Sequence, residues 1–288
     1  MNAKTDNVPA SRKGLTQSRI GFSDNFLIWD FPLNELTIYE FPLNERIRLF
    51  MRLEQLFQQL DHFMEGSSVW DSRAVIDTLL DILALFSRND LKSEALKELD
   101  RHSQVLGKMA RIPQEVDQSK LDKILASLET LSKDLYATPG KIGLTLMEND
   151  LFKSISQRSS IPGGTCSFDL PAFHYWLRLS DTQRKAHLEN WICPFQLIRS
   201  AIDILLNFIR TCATPAEEQA TAGFFQKTLD HTLPYQLLRV AVVRTEPYFA
   251  EISGGKHRFT VRFMMPDAVQ RPVQCPQDVK FQLTCCLL

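Results

Sequence analysis

The chain has 288 residues, 44% hydrophobic and 23% charged, which is enough apolar material for one or two ordinary cores. A formal net charge of −1 excludes a generally basic nucleic-acid coat, so any anion-binding surface has to be a local patch set against acidic surface elsewhere. The first apolar run, Phe26-Leu-Ile-Trp29, is too short for a secretory signal core, and no run approaches the ~20 apolar residues of a membrane span. A cytoplasmic chain without membrane contact is expected.

Residues 1–35 mix Lys4, Arg12, Lys13 and Arg19 with Ser, Thr and Asn at no clear period, and read as a flexible N-terminal extension. Phe31-Pro-Leu-Asn-Glu35 returns as Phe41-Pro-Leu-Asn-Glu45, an echo too short for a structural repeat. It reads as a local duplication, or as a natural start nearer Leu36. Leu36 to Phe41 alternates as a strand would, Pro42 ends it, and Asn44 can cap a helix beginning just after it.

From Ile47 the apolar residues Phe50, Leu53, Phe57 and Leu60 fall at helical spacing, with Arg48, Arg52 and Gln59 on the other side. Further helices are predicted at about 71–87, 90–111, 119–137, 145–157, 181–192 and 195–212. Ser119-x-x-Asp122 and Ser180-x-x-Gln183 have the form of capping boxes, and Pro171 can open a helix capped by Asp169. Thr214-Pro-Ala-Glu217, with cap, first-turn proline and acid, predicts one more helix to about Leu229.

After Pro234 the period becomes two. Strands are predicted at 236–243, 248–253, 257–265 and 279–286, with Gly254-Gly255 supplying a tight reversal. The lone strand 36–41 has no local partner and should cross to this sheet. The expected class is α+β: a helical lobe, 43–230, inserted into a small antiparallel sheet domain made by 36–42 and 231–288.

The segment Lys256-His-Arg-Phe-Thr-Val-Arg-Phe-Met-Met265 has two dissimilar faces, because alternate side chains of a strand point to opposite sides. Lys256, Arg258, Thr260 and Arg262 share one, while Phe259, Val261, Phe263 and Met265 share the other. Arg258 and Arg262 stand about 13 Å apart at ~3.3 Å per residue, a spacing that suits an extended acidic partner. The alternatives are the solvated face of an ordinary strand, or an RNA-binding module. For the latter the aromatics would have to be exposed for stacking.

Ile161-Pro-Gly-Gly-Thr-Cys-Ser-Phe-Asp-Leu-Pro171 brings together the residue types of a thiol enzyme, with Cys166 as nucleophile, His174 as base and Asp169 as orienter. A Cys-x₇-His spacing within one loop-to-helix junction argues against joint presentation of both groups, and no catalytic fingerprint surrounds them. The other reading is a Gly163-Gly164 turn, a capping Asp169, and His174 and Trp176 packed at a domain seam. The six cysteines, Cys166, Cys193, Cys212, Cys275, Cys285 and Cys286, show no metal-binding spacing, and neither a metal nor a cofactor is expected.

Taken in order, Tyr39-Glu-Phe-Pro-Leu-Asn-Glu-Arg46, Leu96-Lys-Glu-Leu-Asp-Arg101, Ser160-Ile-Pro-Gly-Gly, Cys166-Ser-Phe-Asp-Leu-Pro171, Ile252-Ser-Gly, Lys256-x-Arg-Phe-x-x-Arg-Phe263 and Cys285-Cys286 resemble the ZapD family of bacterial division proteins. The resemblance spans some 250 residues and leaves out residues 1 to about 36. It implies a cytoplasmic homodimer, recruited to the mid-cell division site, that binds the C-terminal tail of the tubulin-like GTPase FtsZ and bundles its protofilaments, without catalysis and without nucleic acid. It further implies an arginine-rich tail-binding surface between the lobes. Arg258, Arg262 and Arg88 match it, with Lys256 on the same strand face and Arg52 and His174 at matching charged positions. Asp150 departs from the pattern, standing where relatives can carry arginine.

Overall fold

The computed structural model describes residues 35–109, 118–255 and 257–287. The expected N-terminal extension, apart from Glu35, and the candidate Lys256 lie outside the described residues.

Strand β1 (Leu36–Pro42) leads into helix α1 (Glu45–Glu65), whose first turn is capped by Asn44: its Oδ1 accepts from the Ile47 amide at 2.9 Å. The same side chain donates to Gln236 Oε1 at 2.6 Å, tying the start of the helical lobe to the distant strand it will rest on. Along α1, Ile47, Phe50, Leu53, Phe57 and Leu60 recur every three or four residues and are buried. Helices α2 (Val69–Arg88), α3 (Leu91–Met109), α4 (Gln118–Ala137), α5 (Asp150–Arg158), α6 (Pro171–Leu177), α7 (Asp181–Ile192) and α8 (Gln196–Thr211) complete the lobe. Ser180 and Gln183 form the expected capping box, and Ser68 with Asp71 forms another at α2. Helix α4 begins at Gln118, one residue ahead of the expected cap Ser119. α8 is the axis of the lobe: Ile198, Ala201, Ile202, Leu205, Leu206 and Ile209 are buried and face α1, α3 and α4. The stretch Asp181–Thr211 has the length and hydropathy of a membrane span, but this apolar face of α8 is spent on the protein's own core.

The helix expected over 214–229 does not form. Those residues make strands β2 (Ala216–Ala220) and β3 (Phe224–Thr228), joined at Ala222 and Gly223, both at positive φ of 46° and 69°. The Thr214-Pro-Ala-Glu217 start is only local. Pairing of β2 with β8 and of β3 with β6 overrides it.

With β4 (Tyr235–Val243), β5 (Phe249–Gly254), β6 (Arg258–Met265), β7 (Val273–Gln274) and β8 (Val279–Leu287), the strands form two sheets. The first has the order β1-β4-β8-β2, and the second β3-β6-β5 with β7 beside β6. β1 pairs antiparallel with β4 from Leu36↔Val243 to Pro42↔Leu237, so the sheet is built from both chain ends. Alternation gives the first sheet two buried faces. Leu237 and Cys286 join the helical core, while Leu238, Val240, Val242, Phe281 and Leu283 join a second core with Phe259, Val261 and Phe263 of β6. The order of layers is helices, first sheet, second sheet, solvent.

A charged knot fastens the first two layers. Glu40 on β1 accepts from Arg210 of α8 and Arg239 of β4, both at 2.9 Å, and Arg210 also reaches Glu54 of α1 at 2.6 Å. Burial opposes the charge on Arg210, but its two carboxylates prevail and hold its pKa above the ordinary value.

Candidate partner-binding surface

β6 is the central strand of the outer sheet, and its inner side explains its outer one. Phe259, Val261 and Phe263 are 1%, 0% and 0% exposed, each burial contributing roughly 1.5–3 kcal/mol, so the strand cannot turn over. Arg258, Thr260 and Arg262 are thereby fixed on the solvent side, with both arginines exposed. Neither guanidinium makes a side-chain hydrogen bond or ion pair among the described residues.

The register fixes what surrounds them. Arg262 lies between Phe224 of β3 and Glu251 of β5, Thr260 between Gln226 and Ser253, and Arg258 beside Thr228. Met264 comes next on this face, between Phe249 and Gln274. Phe224 is absent from the sequence-derived candidates because 214–229 reads as helix, which hides β3. Glu251 and Met264 lie in predicted strands, but which strand each faces across the sheet is not written in the sequence. The signal that could have exposed β3 is Ala222-Gly223 between two short runs, a reversal of the hairpin kind.

The other candidates stand on the helical lobe. Arg52 is exposed on α1, Arg88 is exposed in the last turn of α2, and His174 is exposed on α6. Among the described residues no hydrogen bond or ion pair joins them to the strand arginines, and the first sheet separates the outer face of β6 from the helices. Asp150 occupies the first turn of α5 beside its cap Asn149, where an acid complements the helix dipole.

The Cys166 region is a folded turn. Cys166 Sγ donates to Asp169 Oδ2 at 3.2 Å, and Asp169 Oδ1 lies 3.5 Å from Arg158 Nη1. Asp169 does not cap α6, whose cap position is Leu170 with no side-chain bond, and His174 makes no bond to either residue. Trp176 is not at a lobe seam: it is buried within the helices, stacked on Phe173 and Trp191, and its Nε1 donates to His187 Nδ1 at 2.9 Å. No group of three or more potential metal ligands is found among the described residues.

The fold and this surface define the chain as an α+β protein with a helical lobe backed by a two-sheet sandwich, the central strand of whose outer sheet presents guanidinium groups unpaired among the described residues. The chain belongs to the ZapD family of cell division proteins, whose family model matches residues 51–262. It is 54% identical over 264 residues to the cell division protein ZapD of Methylococcus capsulatus, covering 92% of this chain and 99% of that one. It is 38% identical over 250 residues to the namesake protein of Azoarcus, and 39% identical over 252 residues to that of Ralstonia nicotianae, each match covering 87% of this chain and 99% of the relative. A role in cell division follows from that membership.

Proposed function

We propose that this protein binds the C-terminal tail of FtsZ through the outer face of β6 and, as a homodimer, cross-links and bundles FtsZ protofilaments at the division site in the cytoplasm. Arg258 and Arg262 are the principal contacts, with Lys256, two positions ahead of Arg258 in the sequence, and Arg88, Arg52 and His174 as further charged positions. The observation that carries this reading is the two-faced strand: one side sealed in the sandwich core, the other holding two exposed guanidiniums that are unpaired among the described residues. Its physics is modest per site. A charge-assisted hydrogen bond contributes about 1.5–3 kcal/mol, so one tail binds weakly. Two sites on a dimer engage neighbouring filament tails and raise avidity ~10²–10⁴-fold without new contacts.

RNA binding by the same strand is disfavoured by a specific observation, since the phenylalanines that would stack on bases are buried. Light scattering of polymerising FtsZ tests the proposal. Adding this protein is expected to raise scattering severalfold, and deleting the FtsZ tail to abolish the rise. Undiminished scattering with tail-less FtsZ would refute it.

A further inference from the structure

The row centred on Arg262 is chemically uneven. Residues paired across neighbouring strands share a face with Cβ atoms about 4.5–5.5 Å apart, so Phe224 and Glu251 flank this guanidinium from opposite sides. Phe224 is a large apolar side chain left 38% exposed. Glu251 is exposed on the edge strand β5 and makes no ion pair with Arg262. One step further along the strand the half-buried Met264 and Phe249 lie side by side, and in the other direction Gln226, Thr260 and Ser253 precede Arg258. The face runs from an apolar end, through a mixed row, to a basic end.

We propose that this row sets which acidic peptides the protein accepts. Phe224 and Met264 take an apolar side chain of an extended peptide, Arg262 takes a carboxylate, and Glu251 competes with that carboxylate and holds affinity down. The inference rests on the peptide-binding reading of β6 given above. An extended peptide places alternate side chains ~6.6–7 Å apart, the same step that separates these rows. The favoured ligand therefore carries an apolar residue two positions from one acid, and a second acid four positions beyond it that reaches Arg258. Glu251 is an acid placed where the ligand needs none, and its repulsion of an incoming carboxylate is worth a few-fold in affinity at an exposed site. The feature makes single tails dissociate readily, which suits a cross-linker that relies on avidity.

Fluorescence anisotropy tests this with the full chain, a labelled FtsZ-tail peptide, and a designed alanine-based peptide carrying Leu-x-Asp-x-x-x-Asp or its scramble. Glu251→Gln is expected to tighten tail binding about three- to tenfold at low salt, with the gain vanishing as salt screens it. Phe224→Ser is expected to weaken binding about tenfold, and the ordered designed peptide to bind better than its scramble. If Glu251→Gln binds no more tightly than the parent while Arg258→Asp still loses the tail, the role given to this row is wrong and the binding reading stands. If the parent chain binds neither peptide, both fall.

Discussion

The arginines of this chain divide by what they touch. Arg184 is buried and donates to Ser72 Oγ at 3.0 Å, to the Ser67 carbonyl at 2.7 Å and to the Leu179 carbonyl, stitching α7 to the start of α2. Arg199 is held by Asp61 over the Phe57 ring, and Arg210 by Glu40 and Glu54. Arg258 and Arg262 make no ion pair among the described residues. Sequence alone cannot separate these groups, because partners such as Glu40 and Arg210 lie 170 positions apart; only the alternation within β6 marks its arginines as outward-facing. His102 shows the same blindness. It is 1% exposed in α3, its Nδ1 bonds the Glu98 carbonyl at 2.7 Å, and its buried Nε2 has no partner among the described residues. Burial pushes its pKa down from 6.5 to about 4, against the pull of Glu98. Between those values the unfolded chain binds a proton that the folded chain refuses, so stability is complete above pH 6.5 and falls as pH drops toward 4. Denaturant titrations are expected to show a loss of about 3 kcal/mol from this group over that window, and His102→Phe to flatten that part of the profile. An unchanged pH slope in the variant would contradict it.

At the scale of elements, helices and strands with their own period are legible in the sequence, and those defined by a partner are not. The helix beginning at Ile47, the capping box at Ser180 and the strands after Pro234 are all expected within a few residues of where they lie, because burial periodicity and caps are written locally. The β2–β3 hairpin escapes that reading. Thr221 and Phe224 exchange both backbone hydrogen bonds, at 3.0 and 2.9 Å, around two residues at positive φ, a turn that favours Asn-Gly but here has Ala222-Gly223. An L-residue in this region costs roughly 1–2 kcal/mol, less for asparagine. Ala222→Asn is therefore expected to raise stability by about 0.5–1 kcal/mol. Gly223→Ala should do the opposite, since its Cβ would meet the Cys275 carbonyl oxygen at 2.4 Å. Thermal melts of the two variants check the pair, and a neutral Gly223→Ala would show that the turn tolerates a side chain.

For the whole molecule, the layering decides how its two halves communicate. The first sheet is shared, its helical side closed by Leu237 and Cys286 and the Glu40 knot, its other side by the sandwich core. That β1 pairs with β4 across the entire helical lobe is readable from a strand with no local mate; that the strands split into two sheets is not, because β2 and β3, which extend one sheet and then the other, carry a helix-like start. The consequence for function is that Arg258 and Arg262 stand on the outermost layer, where substitution leaves both cores intact, whereas Phe259→Asp would bury a charge and is expected to yield insoluble protein. Bundling that depends on exposed charges should also fade between about 50 and 300 mM salt, as the screening length shrinks. The most direct measurement is co-sedimentation of FtsZ filaments with the parent chain and with Arg258→Asp and Arg262→Asp, after circular dichroism has established that each is folded. The account predicts that the parent pellets bundled filaments and that either reversal leaves them in the supernatant. Normal bundling by a folded double reversal would contradict it.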